Sequence, residues 1–168
     1  MARIFVGVGS NIDPEINIRG GMRALRELFG DVLVSPVYES RAFGFDGDNF
    51  LNLVAGFESG LEIGEVAGLL RELEVRFGRT PGLPKYSSRT LDLDLLLYDD
   101  LIVETGGQKI PRPDIMQLGF VLCPLAQIAG DLRHPETGER FRDMWNNFEG
   151  EGRDLVRTEF RPTDNSPT

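Results

Sequence analysis

The chain opens on a run of β-formers, Ile4-Phe5-Val6-Gly7-Val8-Gly9, closed by the turn residues Ser10 and Asn11. Ile18, Met22, Leu25 and Phe29 then recur at helical spacing, with Pro14 suited to the first turn and Gly30 to the stop. Val32 to Tyr38 reads as a strand in which Pro36 implies an edge or a bulge, and Phe50 to Phe57 as another. Val66, Leu69, Leu70, Leu73 and Phe77 mark one face of a second helix that Gly78 ends. Thr90 to Tyr98 is the last clear strand. The order β-α-β-β-α-β predicts an α+β, ferredoxin-like βαββαβ sandwich: an antiparallel sheet covered by two helices. Helical additions are expected at Phe120–Ala129 and Phe141–Phe148. One catalytic-size domain over residues 1–160 and a frayed polar tail at 161–168 complete the reading.

Composition narrows the class. The 168 residues carry 18 Lys+Arg against 27 Asp+Glu, a net charge of −9. That acidity argues against nucleic-acid partners, which call for a basic face. No apolar run approaches the ~20 residues that span a bilayer, and the N-terminus has no signal-peptide pattern. Cys123 is the single cysteine, so no internal disulfide can form. A cytoplasmic monomer acting on small molecules, with neither nucleic acid nor membrane as partner, is the expectation.

Two segments hold candidate chemistry. Asp92 and Asp94 lie two apart in a strand, so both carboxylates project to one face while Leu91, Leu93 and Leu95 face the core. Hard oxygen ligands so placed suit Mg²⁺ completed by water and phosphates, although alternation on a half-wet strand would look the same. Arg79, Lys85 and Arg89 lie in or beside the Pro/Gly/Ser loop that feeds this strand, and a triphosphate needs such cations. The bland alternative is a solvated loop whose charges answer Glu72 and Glu74. Asn52 is polar inside an apolar strand, where its amide must find partners. Phe50 and Phe120 can sandwich a flat ring or serve the core. Arg41 to Asn49 reads as a functional loop. Gly9-Ser10-Asn11 reads as a helix-entry turn, and His134, followed by Pro135, as structural.

Gly9-Ser10-Asn11, Phe50-Leu51-Asn52, Glu74 to Arg79, Arg89-Thr90-Leu91-Asp92-Leu93-Asp94, Pro111-Arg112-Pro113-Asp114 and Gly119 to Leu125 together resemble the 6-hydroxymethyl-7,8-dihydropterin pyrophosphokinase family. The resemblance runs from about Ile4 to His134. It implies a ferredoxin-like fold and transfer of pyrophosphate from ATP to the pterin hydroxymethyl group, releasing AMP, in folate biosynthesis. It also implies two Mg²⁺ ions held by Asp92 and Asp94, with ATP as co-substrate. Glu74, Arg79, Lys85, Arg89, Ile110 and Arg112 would form the nucleotide site, with Arg79 and Arg89 on phosphate oxygens as part of the catalytic set. Ser40, Arg41, Ala42, Phe43, Phe50, Asn52, Asp92 and Phe120 would hold the pterin, Asn52 at its edge and the two Phe rings against its faces.

The chain departs from the family pattern where Arg112 replaces a usual His, Leu118 a usual Arg, Pro81 a frequent Arg and Tyr86 a frequent Trp. Ser87-Ser88 stands for Gly-Pro, Phe50 for a frequent Tyr and Arg41 for a frequent Pro. A second reading is therefore a divergent relative that binds Mg-ATP or a pterin but uses another acceptor or transfers weakly. A third, a non-catalytic binding domain of the same topology, leaves the two carboxylates without a task.

Overall fold

The computed structural model describes residues 1–80, 82–105 and 108–163. Strand β1 (Ala2–Ser10) leads into helix α1 (Pro14–Phe29), with Pro14 in its first turn and Gly30, at φ 82, as its cap. Short strands β2 (Leu33–Val34) and β3 (Tyr38–Ser40) follow, then β4 (Phe50–Ser59), helix α2 (Ile63–Arg76) and β5 (Asp92–Tyr98). A small separate hairpin, β6 (Val103–Thr105) and β7 (Gln108–Ile110), precedes three helices: α3 (Asp114–Gln117), α4 (Gly119–Ala129) and α5 (Phe141–Asn146). Strand β8 (Val156–Arg157) is the last element among the described residues.

The main sheet runs β5-β1-β4-β3-β8, with β2 also paired to β4, and every named pairing in it is antiparallel. Apart from β8 this is the strand order of a ferredoxin-like sandwich, as the alternation of elements predicts. Ile4, Val6, Val8, Leu91, Leu93 and Leu95 pack beneath α1 and α2 in one apolar core. The expected C-terminal helices take the other side of the sheet. The opposite face of the sheet is also covered, by α4 and α5, in a second core containing Phe5, Val54, Leu96, Leu125 and Phe141. A bulge opposite Phe5 and Val6 lets β5 feed both cores: Leu95 pairs with Val6 and Leu97 with Phe5, so Leu96 is the extra residue.

Three boundaries differ from the sequence reading. The expected strand Val32–Tyr38 is broken in two, because Pro36 has no N–H to donate to the ladder. Ser35 bridges the gap: its N–H donates to the Val54 carbonyl and its Oγ accepts from the Val54 N–H at 2.8 Å. The last strand starts at Asp92 rather than Thr90, since the Arg89 carbonyl turns away to accept from the Asn11 and Ile12 N–H groups. Helix α5 ends at Asn146, short of Phe148. In the tail, Pro162 is buried, and 164–168 lie outside the described residues, as does Pro81. Among the described residues no helix is long and apolar enough to cross a membrane.

Candidate active site

Asp92 and Asp94 sit on the face of β5 that points away from α1 and α2, and a cleft opens there. A carboxylate oxygen from each, and one from Glu74 on α2, lie within 4.8 Å of one another. Three acids so close repel. Glu74, only 6% exposed, is steadied by the Leu93 N–H (2.9 Å) and by Arg79, which also reaches Asp92 at 3.1 Å. Burial and the Asp92 charge nevertheless push Glu74 up to about 7. Burial, then Asp92, pushes Asp94 well above the ordinary carboxylate range, even though the Arg112 guanidinium lies 3.7 Å away. Clustered hard oxygens with raised proton affinity are what a divalent cation relieves, so the donor set fits Mg²⁺.

The cations divide into two groups. Arg79 pairs with Glu74 and Asp92; Arg112 pairs with Asp94 and, at 3.1 Å, with Asp114. Burial opposes the Arg112 charge, but Asp94 and Asp114 outweigh it and hold the guanidinium pKa above its usual value. Arg89 behaves otherwise. It is buried, and its guanidinium donates to Ser87 Oγ and to the carbonyls of Pro84, Lys85 and Ser88, gathering the loop over the cavity. Burial and the neighbouring Arg79 charge lower its pKa. Lys85 stacks over Tyr86, 5.2 Å from the ring centre.

Aromatic and amide groups line the other end. Asn52 on β4 is 7% exposed, and its Nδ2 donates to Ser40 Oγ at 2.7 Å, which fixes the plane of the amide. Gly9 pairs with Asn52 across the sheet, and a Cβ there would come within 3.2 Å of Asn52 Oδ1. The glycine therefore leaves that oxygen room. Phe43, Phe45, Phe50, Tyr86 and Phe120 surround this end; Phe43 meets Tyr86 edge-on with centroids 5.0 Å apart, as Phe45 meets Phe50 at 6.2 Å.

Of the residues singled out from the sequence, Ser40, Arg41, Phe43, Phe50, Asn52, Arg79, Lys85, Arg89, Asp92, Asp94, Arg112 and Phe120 line this one cavity. Ala42, Glu74 and Ile110 do not. Glu74 stands behind Arg79 and Asp92, and the Ile110 side chain is spent in the core under α1 and α2. Asp114, Phe45 and Ser87 line the cavity without having been named as site residues; Asp114 lies in the quoted Pro111–Asp114 motif and Phe45 in the Arg41–Asn49 loop. Leu118 supplies apolar wall where the family pattern has a cation. Gly9-Ser10-Asn11 does more than enter a helix. Asn11 accepts from the Arg89 N–H (2.8 Å) and donates to the Asp48 carbonyl (3.1 Å) and Ser88 Oγ (3.3 Å), tying both loops to β1. His134 is structural as read: Nδ1 accepts from the N–H groups of Glu136 and Thr137, and burial lowers its pKa.

Residues 5–130 match the family 7,8-dihydro-6-hydroxymethylpterin-pyrophosphokinase (HPPK). The chain is 34% identical over 137 residues to the 2-amino-4-hydroxy-6-hydroxymethyldihydropteridine pyrophosphokinase of Aquifex aeolicus, covering 80% of this chain and 85% of that one. It is 37% identical to the enzyme of the same name from Synechocystis, covering 80% and 70% respectively. Among solved structures it superposes with TM-score 0.73 and 10% identity on an HPPK-DHPS crystal structure in complex with substrates, covering 93% of this chain and 46% of that one. Sequence match and strand order agree: the chain belongs to the 7,8-dihydro-6-hydroxymethylpterin-pyrophosphokinase family.

Proposed function

We propose that this chain transfers pyrophosphate from Mg-ATP to the hydroxymethyl group of 6-hydroxymethyl-7,8-dihydropterin, giving AMP and the pterin diphosphate. The observation that carries the reading is the joining, in one cavity, of the Asp92/Asp94 pair at one end with the Asn52 amide and a cage of aromatic rings at the other. In this reading a flat heterocycle with a protruding alcohol lies against Phe50 and Phe120, which both line the cavity, with its donor–acceptor edge at Asn52. The alcohol is thereby directed toward the carboxylates.

Asp92 and Asp94 would hold Mg²⁺, two ions if both sites fill, which when bound neutralises phosphate charge and acidifies the attacking hydroxyl. The hydroxymethyl oxygen forms a bond to the β-phosphorus while the bond from that phosphorus to the α,β-bridging oxygen breaks, and AMP leaves with that oxygen. The hydroxyl proton passes to the carboxylate cluster and on to solvent. Arg79 and Arg112 flank the carboxylates on opposite sides and are placed to exchange an acidic partner for a phosphate oxygen once ATP arrives. Arg89, by holding the carbonyls of residues 84, 85 and 88, positions the loop that would close over the nucleotide. Most of the rate enhancement would come from such positioning and charge neutralisation.

Quantitative chromatography of AMP, with and without the dihydropterin, tests the reading. AMP release should depend on pterin and on Mg²⁺, and Asp94→Ala should remove it while leaving the melting transition intact. Nucleotide binding without pterin-dependent AMP would instead favour the divergent relative, the reading that Leu118 supports.

A further inference from the structure

The family match ends at residue 130, yet the chain beyond it returns to the cavity from behind. The Glu151 carbonyl accepts from the Gly119 N–H at 2.7 Å, at the first residue of α4, and Glu151 bridges to Leu118 in parallel. Gly152, at φ 81, lies against Phe120: a Cβ there would come within 3.4 Å of that ring. A Cβ on Gly119 would run into the Gly152 carbonyl. These two glycines therefore permit a backbone contact directly behind the aromatic wall. Four residues later β8 adds to the free edge of β3, pairing Val156 with Glu39 and Arg157 with Tyr38. The Thr158 N–H and Oγ1 both donate to the Val37 carbonyl, at 2.9 and 3.1 Å. Strand β3 ends at Ser40, the residue that orients Asn52.

We propose that residues 151–158 are a positioning element for the pterin end of the site, setting the separation between Phe120 on α4 and the Ser40–Asn52 pair on the sheet. This rests on the pterin reading above. The two walls, Ser40 and Phe120, stand 80 residues apart in sequence, and this one segment is bonded to the element that carries each. A ring held between a wall on a helix and an amide on a strand is sensitive to that separation, because dispersion contact falls off within an ångström. None of 151–158 lines the cavity, so the segment acts through Phe120 and Ser40 rather than on substrate. The carboxylates, Arg79 and Arg112 are held by bonds of their own and do not depend on it.

Two substitutions probe the two anchors. Gly119→Ala displaces the Gly152 backbone from α4. Thr158→Pro deletes both bonds to Val37 at an edge where proline is otherwise tolerated. Each should raise the dissociation constant for 6-hydroxymethyl-7,8-dihydropterin, titrated in the presence of Mg²⁺ and α,β-methylene-ATP, by at least about tenfold. The affinity for Mg-α,β-methylene-ATP alone should stay within about twofold, and Thr158→Ser should bind the pterin like the parent. Unchanged pterin affinity in both variants overturns the proposal. So does a parallel fall of nucleotide and pterin affinity with Tm, which would make the segment a general support. Failure of the unaltered protein to bind the pterin at all is a different outcome: it removes the functional reading, and this one with it.

Discussion

Arg112 shows how much one side chain can set the charge at one end of a site. The guanidinium lies between Asp94 and Asp114, so it offsets charge at the carboxylate end of the cavity. Leu118, 6% exposed and packed in the core under α4, cannot supply the cation that the family pattern places there. In the proposed reaction Arg112 is then the cation on that side of the cavity placed to meet a phosphate oxygen. Arg112→Ala should lower kcat by roughly 10²–10³-fold, the scale of losing one donor to a developing oxyanion. Steady-state kinetics with the dihydropterin checks this, and a loss below threefold would assign the role to another residue. Asp92 and Asp94 were legible by strand period alone. The third acid, Glu74, was named only through the family resemblance; no period of α2 marks it, and the packing of α2 against β5 brings it to the pair.

At the scale of elements, the interrupted strand from Leu33 to Ser40 is the most informative. Pro36 in the sequence announces a defect, but it does not say how the neighbouring strand's N–H will be satisfied. Ser35 Oγ takes the Val54 N–H in place of a backbone carbonyl, and the break lets β3 resume in register with Asn52 opposite Tyr38. Ser35→Ala would strand that buried donor, at a cost of about 1–3 kcal/mol. A Tm lower by several degrees follows, read by calorimetry, while Ser35→Thr, which keeps the oxygen, should lose less. Strand β8 escaped the sequence reading because two exposed residues, Val156 and Arg157, carry no periodicity; it exists because β3 has an open edge. The β6–β7 hairpin escaped for the same reason: three-residue strands are too short for a pattern to repeat.

For the molecule as a whole, the net charge of −9 and the packed carboxylates act in the same direction. Glu74 binds its proton more tightly in the folded protein, near pH 7, than in an unfolded chain, near 4.5. Its contribution to stability is full below about pH 4.5 and is lost as pH rises through about 7. Metal-free protein should therefore lose stability across that window, and Glu74→Gln should flatten this part of the profile. Mg²⁺ should restore Tm most strongly at the alkaline side, by binding the folded state alone. Chemical denaturation at a series of pH values, with chelator and with Mg²⁺, reads both effects; identical pH slopes for parent and Glu74→Gln would show that the carboxyl titrates normally. The sequence by itself determined the order of elements, the apolar faces of α1 and α2, and the shared face of Asp92 and Asp94, because those follow from periods of 3.6 and 2 acting over a few residues. It also carried the motifs that place the chain in its family. Only the tertiary structure decided that Glu74 joins the carboxylates, that Arg89 holds a loop, that Ile110 belongs to the core, and that Glu151 and Gly152 lie behind Phe120. The Arg89 contacts are local but follow no repeating period, and the others join residues far apart in the chain, where packing alone selects the partner.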